Sequence, residues 1–276
     1  MNDKATEKLE TELLLQALYE RCGYDFRQYA RSSLLRRLHF VRQKAGLAHL
    51  SDMIPKLLYD DAFAGELLHG LSVTVTEMFR DPEFFLELRS KVIPLLKTYP
   101  FVKIWHAGCA TGEEVYSMAI VLKEEGFYDR VQIYATDMNQ ESLHIAQEGI
   151  YGLDSIRKFT LNYQRSGGRS SFSDYYHAKY QMGKMHDDLK RNIVFSQHNL
   201  ATDHSFGEMH LILCRNVLIY FDKQLQNQVF RLFNGSLAPR GFLCIGSKES
   251  IEFSGIEPEF EAVSAKWRIF RKLLPT

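Results

Sequence analysis

The stretch from Val102 to Ser117 joins a predicted buried strand to a glycine turn and then to a helix that starts with two acids. A strand, a glycine turn and a helix in this order form a common binding site for nucleotide cofactors in α/β proteins. The N-terminus of a helix favours phosphate, but Glu113 and Glu114 would repel a phosphate placed there. These residues therefore favour a cofactor with a cationic centre and no phosphate.

S-adenosyl-L-methionine fits that description, because it carries a sulfonium, an ammonium and an adenosine ribose. The next predicted strand, Val131 to Thr136, is followed directly by Asp137. In a doubly wound sheet, an acid at the end of the second strand is placed to bind the ribose hydroxyls. The glycine turn and Asp137 together predict the core of a methyltransferase.

The same residues also allow a purely structural interpretation. Gly108 and Gly112 lack the G-x-G-x-x-G spacing of dinucleotide sites, and a strand, a glycine and a helix recur in many α/β proteins. Gly112 would then only permit a tight turn, and Asp137 would cap the helix that begins near Gln140. These residues alone leave both interpretations open.

Composition is that of an ordinary soluble globular protein, with 45% hydrophobic and 25% charged residues among 276. Lys plus Arg and Asp plus Glu each total 34, so the net charge of zero does not indicate nucleic-acid binding. The N-terminus does not resemble a signal peptide, and no run approaches the roughly 18 apolar residues that span a bilayer. We expect a cytoplasmic protein that is not inserted in a membrane.

Neither the cysteines nor the histidines are spaced for a metal site. The four cysteines are far apart and form no C-x-x-C pair, which also argues against a disulfide framework. The ten histidines include no H-E-x-x-H motif. We expect reduced cysteines and no bound metal.

Hydrophobic periodicity predicts three regions along the chain. Residues 1–70 form an N-terminal helical domain, residues 71–100 a linker with a connecting helix, and residues 101–276 an α/β domain. Short apolar runs alternate with helical patterns in the third region, which predicts a mostly parallel sheet with helices on both faces. The predicted strands are Val102 to Trp105, Val131 to Ala135, Ile193 to Ser196, Leu211 to Cys214, Phe242 to Gly246 and Trp267 to Lys272. A polar segment near 160–191 is too long for a plain connection and predicts a small inserted subdomain.

In the helical domain, the helix predicted from Asp25 to Lys44 places two arginines on the same stripe as two leucines. The stripe consists of Arg31, Leu35, Leu38 and Arg42. It is suited to contact an acidic partner, but an ordinary helix that packs through its leucines would show the same pattern. Both interpretations stay open.

Four separated segments, read in order, resemble the chemotaxis-receptor glutamate methyltransferases, the CheR family. They are V-T-V-T-E-M-F-R-D-P-E-F-F (Val73 to Phe85), H-A-G-C-A-T-G-E-E-V-Y-S (His106 to Ser117), A-T-D-M-N (Ala135 to Asn139) and C-R-N-V-L-I-Y-F-D (Cys214 to Asp222). The resemblance covers nearly the whole chain. It implies an α/β Rossmann-like methyltransferase core, dependent on S-adenosyl-L-methionine, with an N-terminal helical domain and a small inserted β-subdomain.

The resemblance also implies an activity and a partner. The protein would transfer methyl from S-adenosyl-L-methionine to glutamate side chains of a chemoreceptor cytoplasmic domain, leaving S-adenosyl-L-homocysteine, and would act as a monomer. By the same resemblance, the cofactor-binding residues are Thr74, Thr76, Arg80, Glu114, Asp137, Asn199, Leu200, Asn216 and Val217. Arg80 and Tyr220 would lie nearest the transferred methyl. An alternative for Arg80 is an ion pair with Glu77 or Asp81.

Three departures from the family pattern are visible. Thr74 stands where the family commonly has Asn, and G-S-K-E (Gly246 to Glu249) stands where it often has G-H-S-E. The run Tyr176 to Asp188 is a few residues shorter than the loop of members that dock on a receptor's C-terminal peptide tether, which predicts recognition without that tether. The first two departures leave open a non-catalytic module that binds S-adenosyl-L-methionine and signals.

Two further acceptor classes were weighed against glutamate. A D/N-P-P-Y/F motif, which orients a neutral amine, is absent, because Asn216 is followed by Val217 and Leu218. This disfavours nitrogen acceptors, whereas a different protein carboxylate stays open. Nicotinamide chemistry is disfavoured by the acids at the helix start and by the missing third glycine.

Overall fold

The computed structural model of the protein describes residues 3–72 and 76–274. The chain divides into two compact units. The helical unit combines Met1–Val73 with Leu218–Val229, and the sheet unit combines Thr74–Val217 with Phe230–Thr276. Residues 218–229 thus belong with the N-terminal helices, which no pattern in the sequence indicated.

The N-terminal part of the helical unit is built from helices whose leucines form its core. The helices are α1 (Asp3–Cys22), α2 (Arg31–Lys44), α3 (Met53–Tyr59) and α4 (Asp61–Leu71). Leu18, Leu38 and Leu67 are fully buried. The Asp60 carboxylate starts α4 by accepting the amide hydrogens of Ala62 and Phe63.

Helix α2 begins at Arg31, six residues later than the Asp25 start that the periodicity predicts. The Asp25 carboxylate instead accepts hydrogen bonds from the backbone amide and the guanidinium of Arg27. Such a local side-chain bond competes with helix formation, so these residues form a turn.

The arginines at the two ends of the α2 stripe bond to the helical unit itself. Arg31 donates to the carbonyl of Lys8 and lies 3.8 Å from the Glu12 carboxylate. Arg42 donates to the carbonyl of Ala48 at 2.8 Å. Leu38, between them, is buried. These contacts favour the interpretation in which the helix packs through its leucines and the arginines extend from the packed surface.

The sheet unit is built on a seven-stranded sheet with the order β6-β2-β1-β7-β8-β10-β9. The strands of the chain are β1 (Val102–Ala107), β2 (Val131–Asp137), β3 (Ile150–Gly152), β4 (Tyr176–Lys179), β5 (Met182–Met185), β6 (Ile193–Gln197), β7 (Met209–Cys214), β8 (Leu237–Ile245), β9 (Phe260–Ser264) and β10 (Ile269–Lys272). Pairing is parallel from β6 through β8 and antiparallel for β8-β10-β9. The Rossmann-like fold and all six predicted strands are confirmed, whereas β9 was not predicted.

Helices of the sheet unit cover this sheet. They are α5 (Pro82–Glu87), α6 (Ile93–Leu96), α7 (Glu113–Glu124), α8 (Gln140–Glu148) and α9 (Leu153–Arg165), followed by α10 (Lys223–Ser236), which runs from one unit into the other. A π-helical turn, Leu88–Val92, links α5 to α6. Helix α7 is buried along most of its length and contributes Val115, Met118 and Ile120 to the core.

The inserted subdomain is a three-stranded antiparallel sheet of order β3-β5-β4. It starts at Ile150, earlier than the segment 160–191 in which it was expected, and α9 occupies residues 153–165. Strand β3 has only three residues and is defined by its pairing with β5, so local periodicity does not reveal it. A tight turn through Tyr180 and Gln181, both with positive φ, joins β4 to β5.

None of the helices in residues 3–72 and 76–274 is both long enough and apolar enough to cross a membrane.

Candidate active site

The glycine turn after β1 is tied to the end of β2. The amides of Gly108 and Cys109 both donate to the carbonyl of Thr136, at 2.8 and 2.9 Å. Gly108 and Gly112 have φ values of +77° and +91°, in the region that favours glycine. The turn therefore sits at the carboxyl edge of the parallel strands, where open α/β sheets bind ligands.

Both glycines also let neighbouring parts of the chain approach closely. A Cβ atom at Gly108 would lie 2.6 Å from a methyl group of Val217, and one at Gly112 would lie 2.8 Å from Cβ of Ala146 in α8. The added Cβ atom at Gly112 would also lie 3.1 Å from Cα of Ala146, a backbone atom that cannot rotate away. The glycines thus serve close packing as well as the turn.

We expect Gly112→Ala to lower the free energy of unfolding by roughly 2–4 kcal/mol, because it combines an unfavourable φ with a clash. Gly126 has φ +64° but open space around its Cβ position, so Gly126→Ala isolates the backbone cost and should lower stability by only about 1 kcal/mol. Urea denaturation of both variants checks this. Equal losses would contradict the close approach to Ala146.

Asp137 holds the turn from the end of β2. Its Oδ2 accepts the amide hydrogen of Ala110 at 2.9 Å, and its Oδ1 accepts that of Asn139 at 2.9 Å. Burial raises the pKa of Asp137, and these backbone hydrogen bonds oppose the rise. The cap of α8 is Asn139, whose side chain accepts the amide of Ser142, so Asp137 is not the helix cap of the structural interpretation.

Glu113, the first residue of α7, is buried and only 7% exposed. Burial raises the pKa of its carboxyl group from 4.5 to about 7, although Thr111 donates a hydrogen bond to it at 2.7 Å. Below neutral pH this side chain is therefore uncharged in the folded protein. Of the two acids at the helix start, only Glu114 supplies charge under those conditions.

The raised pKa of Glu113 should make stability depend on pH. Between about pH 4.5 and 7 the unfolded chain releases the Glu113 proton while the folded protein keeps it, so stability falls as pH rises through this range. Glu113→Gln removes this loss, and its stability relative to wild type should rise by about 2–3 kcal/mol between pH 5 and 8. Denaturation at both pH values checks this. The exposed Glu252→Gln variant should show no such change, and equal behaviour of the two variants would contradict it.

Glu114 lies at the centre of a largely buried charge cluster. Its Oε2 accepts a hydrogen bond from Arg215 at 2.7 Å, and its Oε1 lies 3.3 Å from Nδ1 of His106. Burial alone would raise the pKa of Glu114, but the Arg215 guanidinium and His106 outweigh it and lower the pKa to about 2. Glu114 is therefore a carboxylate at any physiological pH.

Arg215 joins three separate segments of the sheet unit. Its side chain is 2% exposed and forms ion pairs with Glu114 at 2.7 Å and with Asp81 at 2.6 Å. It also donates to the carbonyl of Arg80 and lies 4.0 Å above the ring of Phe84. Two carboxylates and one guanidinium give this acid pair and arginine a net charge of −1. The sequence reasoning missed Arg215, although it directly precedes Asn216 and follows the apolar strand β7.

The backbone around Arg80 is held by Arg215 and by two further contacts. Ser117 in α7 accepts the amide hydrogen of Phe79 at 2.9 Å, and Asn162 donates to the carbonyl of Met78. Phe79 has φ +53° and is fully buried. This segment is therefore fixed on both sides of the Arg80 side chain.

The guanidinium of Arg80 has no ion pair within residues 3–72 and 76–274. Glu77 instead forms an ion pair with Lys158, and Asp81 pairs with Arg215. The alternative that paired Arg80 with one of these two acids is therefore wrong. The side chain keeps its positive charge available.

Asn216 is fixed by Glu249, a second residue that the sequence reasoning missed. Oε2 of Glu249 accepts the amide hydrogens of Asn216 at 3.2 Å and of Gly246 at 2.5 Å. Glu249 is buried and is the last residue of the G-S-K-E stretch. The sequence comparison with G-H-S-E pointed only to the histidine that this stretch lacks. The carboxylate thus joins the end of β7 to the end of β8.

Asn199 and Leu200 follow β6 at the same edge of the sheet. The amide of His198, just before them, donates to the carbonyl of Asp137 at 3.1 Å. The Asn199 side chain accepts the amide of Ala201, and Leu200 is 7% exposed. These contacts attach the Q-H-N-L segment to the end of β2 beside Asp137.

The remaining predicted residues are less closely connected to this network. Thr76 lies in an irregular segment and is partly exposed, and Thr74 lies outside the described residues. Tyr220 lies in the 3-10 turn Leu218–Tyr220, which belongs to the helical unit. From Thr76 to Val217, by contrast, all predicted site residues belong to the sheet unit.

The chemistry of this edge fits S-adenosyl-L-methionine. Gly108 and Gly112 themselves have no side chains, and an added Cβ atom would meet Val217 at Gly108 and Ala146 at Gly112. Glu114, Asp81 and Arg215 together carry a net charge of −1, which suits a cationic cofactor. The glycine turn, the acids at the start of α7 and Asp137 thus lie at one edge of the sheet.

Two family models account for nearly all of this architecture. Residues 9–72 match the CheR methyltransferase all-alpha domain, and residues 74–269 match the CheR methyltransferase SAM binding domain. The chain belongs to the CheR methyltransferase family. This CheR protein is a methyltransferase that uses S-adenosyl-L-methionine, which confirms the family and the cofactor predicted from the sequence. A nicotinamide oxidoreductase is excluded by the same match.

Full-length relatives of this CheR protein come from several bacteria. Cher3 of Pseudomonas putida is 48% identical over 99% of this chain and 100% of its own. Chemotaxis protein methyltransferase 1 of Vibrio cholerae is 30% identical over 93% of this chain and 94% of its own. The chemotaxis protein methyltransferase of Borreliella burgdorferi is 30% identical over 88% and 89%. The similarity therefore spans both domains.

Proposed function

We propose that this CheR protein transfers methyl from S-adenosyl-L-methionine to glutamate side chains of a chemoreceptor cytoplasmic domain, forming γ-methyl esters. The observation that carries the proposal is the full-length similarity to proteins named chemotaxis protein methyltransferases. An ester would remove the negative charge of the glutamate and so change the receptor surface.

A carboxylate acceptor agrees with the side chains at the site. When bound, S-adenosyl-L-methionine supplies an electrophilic methyl group on a sulfonium. Glutamate has a pKa of about 4.3 in water, so the acceptor is already ionised and needs no general base. Holding the two reactants in line can supply roughly 7–11 kcal/mol of the barrier, which makes orientation the main task of the protein.

The proposed roles of the cofactor-binding residues follow from their positions along the sheet edge. Asp137 binds the ribose, Asn199 and Leu200 flank the adenine, and Asn216 and Val217 complete the pocket. The Glu114 carboxylate supplies the negative charge that faces the cationic part of the cofactor. Thr76 and Thr74 contact the cofactor from the segment that precedes Arg80.

Arg80 and Tyr220 are proposed to lie nearest the transferred methyl. The guanidinium of Arg80 is free to orient the acceptor carboxylate, because the neighbouring acids pair with Lys158 and Arg215. The acceptor carboxylate loses its negative charge as it is methylated. A guanidinium bound directly to that carboxylate would therefore stabilise the reactant more than the transition state and oppose the reaction. We therefore assign Arg80 to orientation of the acceptor.

The inserted subdomain supports recognition of the receptor without a peptide tether. Tyr180 and Gln181 form a tight turn between β4 and β5, so the loop of this hairpin is short. We propose that a monomer recognises the receptor through other surfaces. Calorimetric titration with the C-terminal peptide of a receptor from the host should show no binding. A micromolar dissociation constant would overturn the proposal.

The activity itself is tested by transfer of radiolabelled methyl to membranes that contain the receptors of the host. Label should enter the receptor and be released as methanol by mild base, because esters hydrolyse under conditions in which methylated amines persist. Label that resists base would exclude a carboxylate acceptor. Label in another protein, released as methanol, would indicate a different protein carboxylate. Binding of S-adenosyl-L-homocysteine without any transfer would indicate a non-catalytic module.

A further inference from the structure

Tyr220 belongs to the helical unit, and residues of that unit hold its backbone. Its carbonyl accepts the amide hydrogen of Ala30 at 2.8 Å, and the amide of Asp222 donates to the carbonyl of Gln28 at 2.9 Å. The rings of Phe221 and Tyr29 meet edge to face, with centroids 5.0 Å apart. The segment before α2 thus fixes the backbone on both sides of Tyr220.

The ring of Tyr220 is fixed by Arg37 in helix α2. The central carbon of the Arg37 guanidinium lies 4.6 Å from the centroid of the ring. Nη1 of Arg37 donates to the carbonyl of Leu71 at 2.6 Å, and Nη2 donates to Oγ of Ser33 at 3.1 Å. Hydrogen bonds at both ends of a planar guanidinium set the plane against which the ring packs.

Arg37 also connects two parts of the chain that the proposed function uses. Leu71 is the last residue of α4, just before the segment that leads to Thr76 and Arg80. One guanidinium therefore bonds the start of that segment and covers the ring of Tyr220. Burial lowers the pKa of Arg37, whereas its neighbour Arg36 is exposed. This half-buried position separates Arg37 from the arginines that face solvent.

We propose that Arg37 is a positioning residue for methyl transfer, which acts by holding the ring of Tyr220. The inference rests on the proposed function, because it assigns Tyr220 a place beside the transferred methyl. On this account α2 serves the reaction through one half-buried arginine, independently of any contact that its exposed arginines make with an acidic partner. The sequence stripe of Arg31, Leu35, Leu38 and Arg42 does not include this residue.

A double-mutant cycle separates positioning from a general structural role. Arg37→Ala should lower kcat for receptor methylation by roughly 10- to 100-fold while KM for the receptor changes less than about threefold. In a Tyr220→Ala background the same substitution should cost less than about threefold, because the side chain through which it acts is gone. Arg37→Lys should lose nearly as much kcat as Arg37→Ala, since one ammonium cannot donate to Leu71 and Ser33 and also lie flat on the ring.

Arg36→Ala is the matched control, since it removes an exposed arginine from the same turn of α2 and should leave kcat within about twofold of wild type. The dissociation constant of S-adenosyl-L-homocysteine, measured for every variant, should stay within about threefold and shows that the sheet unit is folded. Additive losses in the cycle, full activity of Arg37→Lys, or a loss confined to KM would each overturn the inference. If the wild-type protein transfers no methyl, the proposed function is overturned. The inference about Arg37 then falls with it, before any variants are compared.

Discussion

Replacing Arg215 with methionine is expected to lower the free energy of unfolding by about 3–5 kcal/mol and to abolish most methyl transfer. The reason is that Glu114 and Asp81 both lose the cation with which they pair, and only 17% of the Glu114 side chain is exposed. A largely buried carboxylate that loses its cation costs more than the ion pair contributed, because little water reaches it to replace the cation. The carbonyl of Arg80 also loses its donor, so the segment that carries Arg80 is less well fixed.

Two comparisons isolate this effect in denaturant unfolding. Arg157→Met breaks a solvent-exposed ion pair with Asp154 and should cost less than about 1 kcal/mol. The triple variant with Arg215→Met, Glu114→Gln and Asp81→Asn also removes the two carboxylates that lost their cation. It should recover more than about half of the lost stability. A single Arg215→Met variant as stable as Arg157→Met would contradict the central place of this cluster.

Replacing Asp137 with asparagine is expected to weaken binding of S-adenosyl-L-homocysteine by about 30- to 300-fold, measured by calorimetry. Asp137 uses one oxygen for the amide of Ala110 and the other for the amide of Asn139. An asparagine side chain has one acceptor oxygen, so it cannot hold both amides and also accept from a ribose hydroxyl. The glycine turn and the cofactor therefore lose contacts together.

Asp60→Asn is the matched control for Asp137→Asn. Asp60 also accepts two backbone amides, those of Ala62 and Phe63, but it does so at the start of α4 in the helical unit. An asparagine can still cap the helix with its one oxygen, so this variant should keep its stability within about 0.5 kcal/mol and keep its affinity for S-adenosyl-L-homocysteine. Equal affinities of the two variants would contradict the role of Asp137 in the cofactor site.

Strands of the sheet could be predicted from the sequence because their signal is local. A continuous apolar run such as Leu211 to Cys214 identifies a strand that is buried on both faces. The strand β9, with the sequence F-E-A-V-S, has exposed residues in its middle and is defined by its pairing with β10. Its identity depends on residues that are distant in sequence, and periodicity cannot report them.

The site shows the same division between local and distant information. Glycine at positive φ and an acid after a strand are readable from residue type and order, and these features led to Gly108, Gly112 and Asp137. Arg215, Glu249 and Arg37 act through bonds to residues far away in the chain. Nothing in their immediate sequence distinguishes them from charged residues on a surface. The folded chain was needed to find them.

The charge cluster around Arg215 suggests why two acids can start α7 without disrupting it. The Glu113 carboxyl group is protonated and uncharged below neutral pH, because burial raises its pKa to about 7. Glu114 keeps its charge because Arg215 and His106 stabilise the carboxylate. The first turn of the helix therefore presents one stabilised negative charge, which suits a sulfonium or an ammonium better than a phosphate.

The most direct test of a carboxylate acceptor is to locate the transferred methyl on a receptor. A chemoreceptor cytoplasmic fragment from the host would be incubated with this CheR protein and S-adenosyl-L-methionine and then analysed by tandem mass spectrometry. The account predicts a methyl ester on glutamate side chains that disappears after mild base and is strongly reduced with Asp137→Asn. A methyl group on a lysine, arginine or other nitrogen atom, unchanged by base, would contradict it.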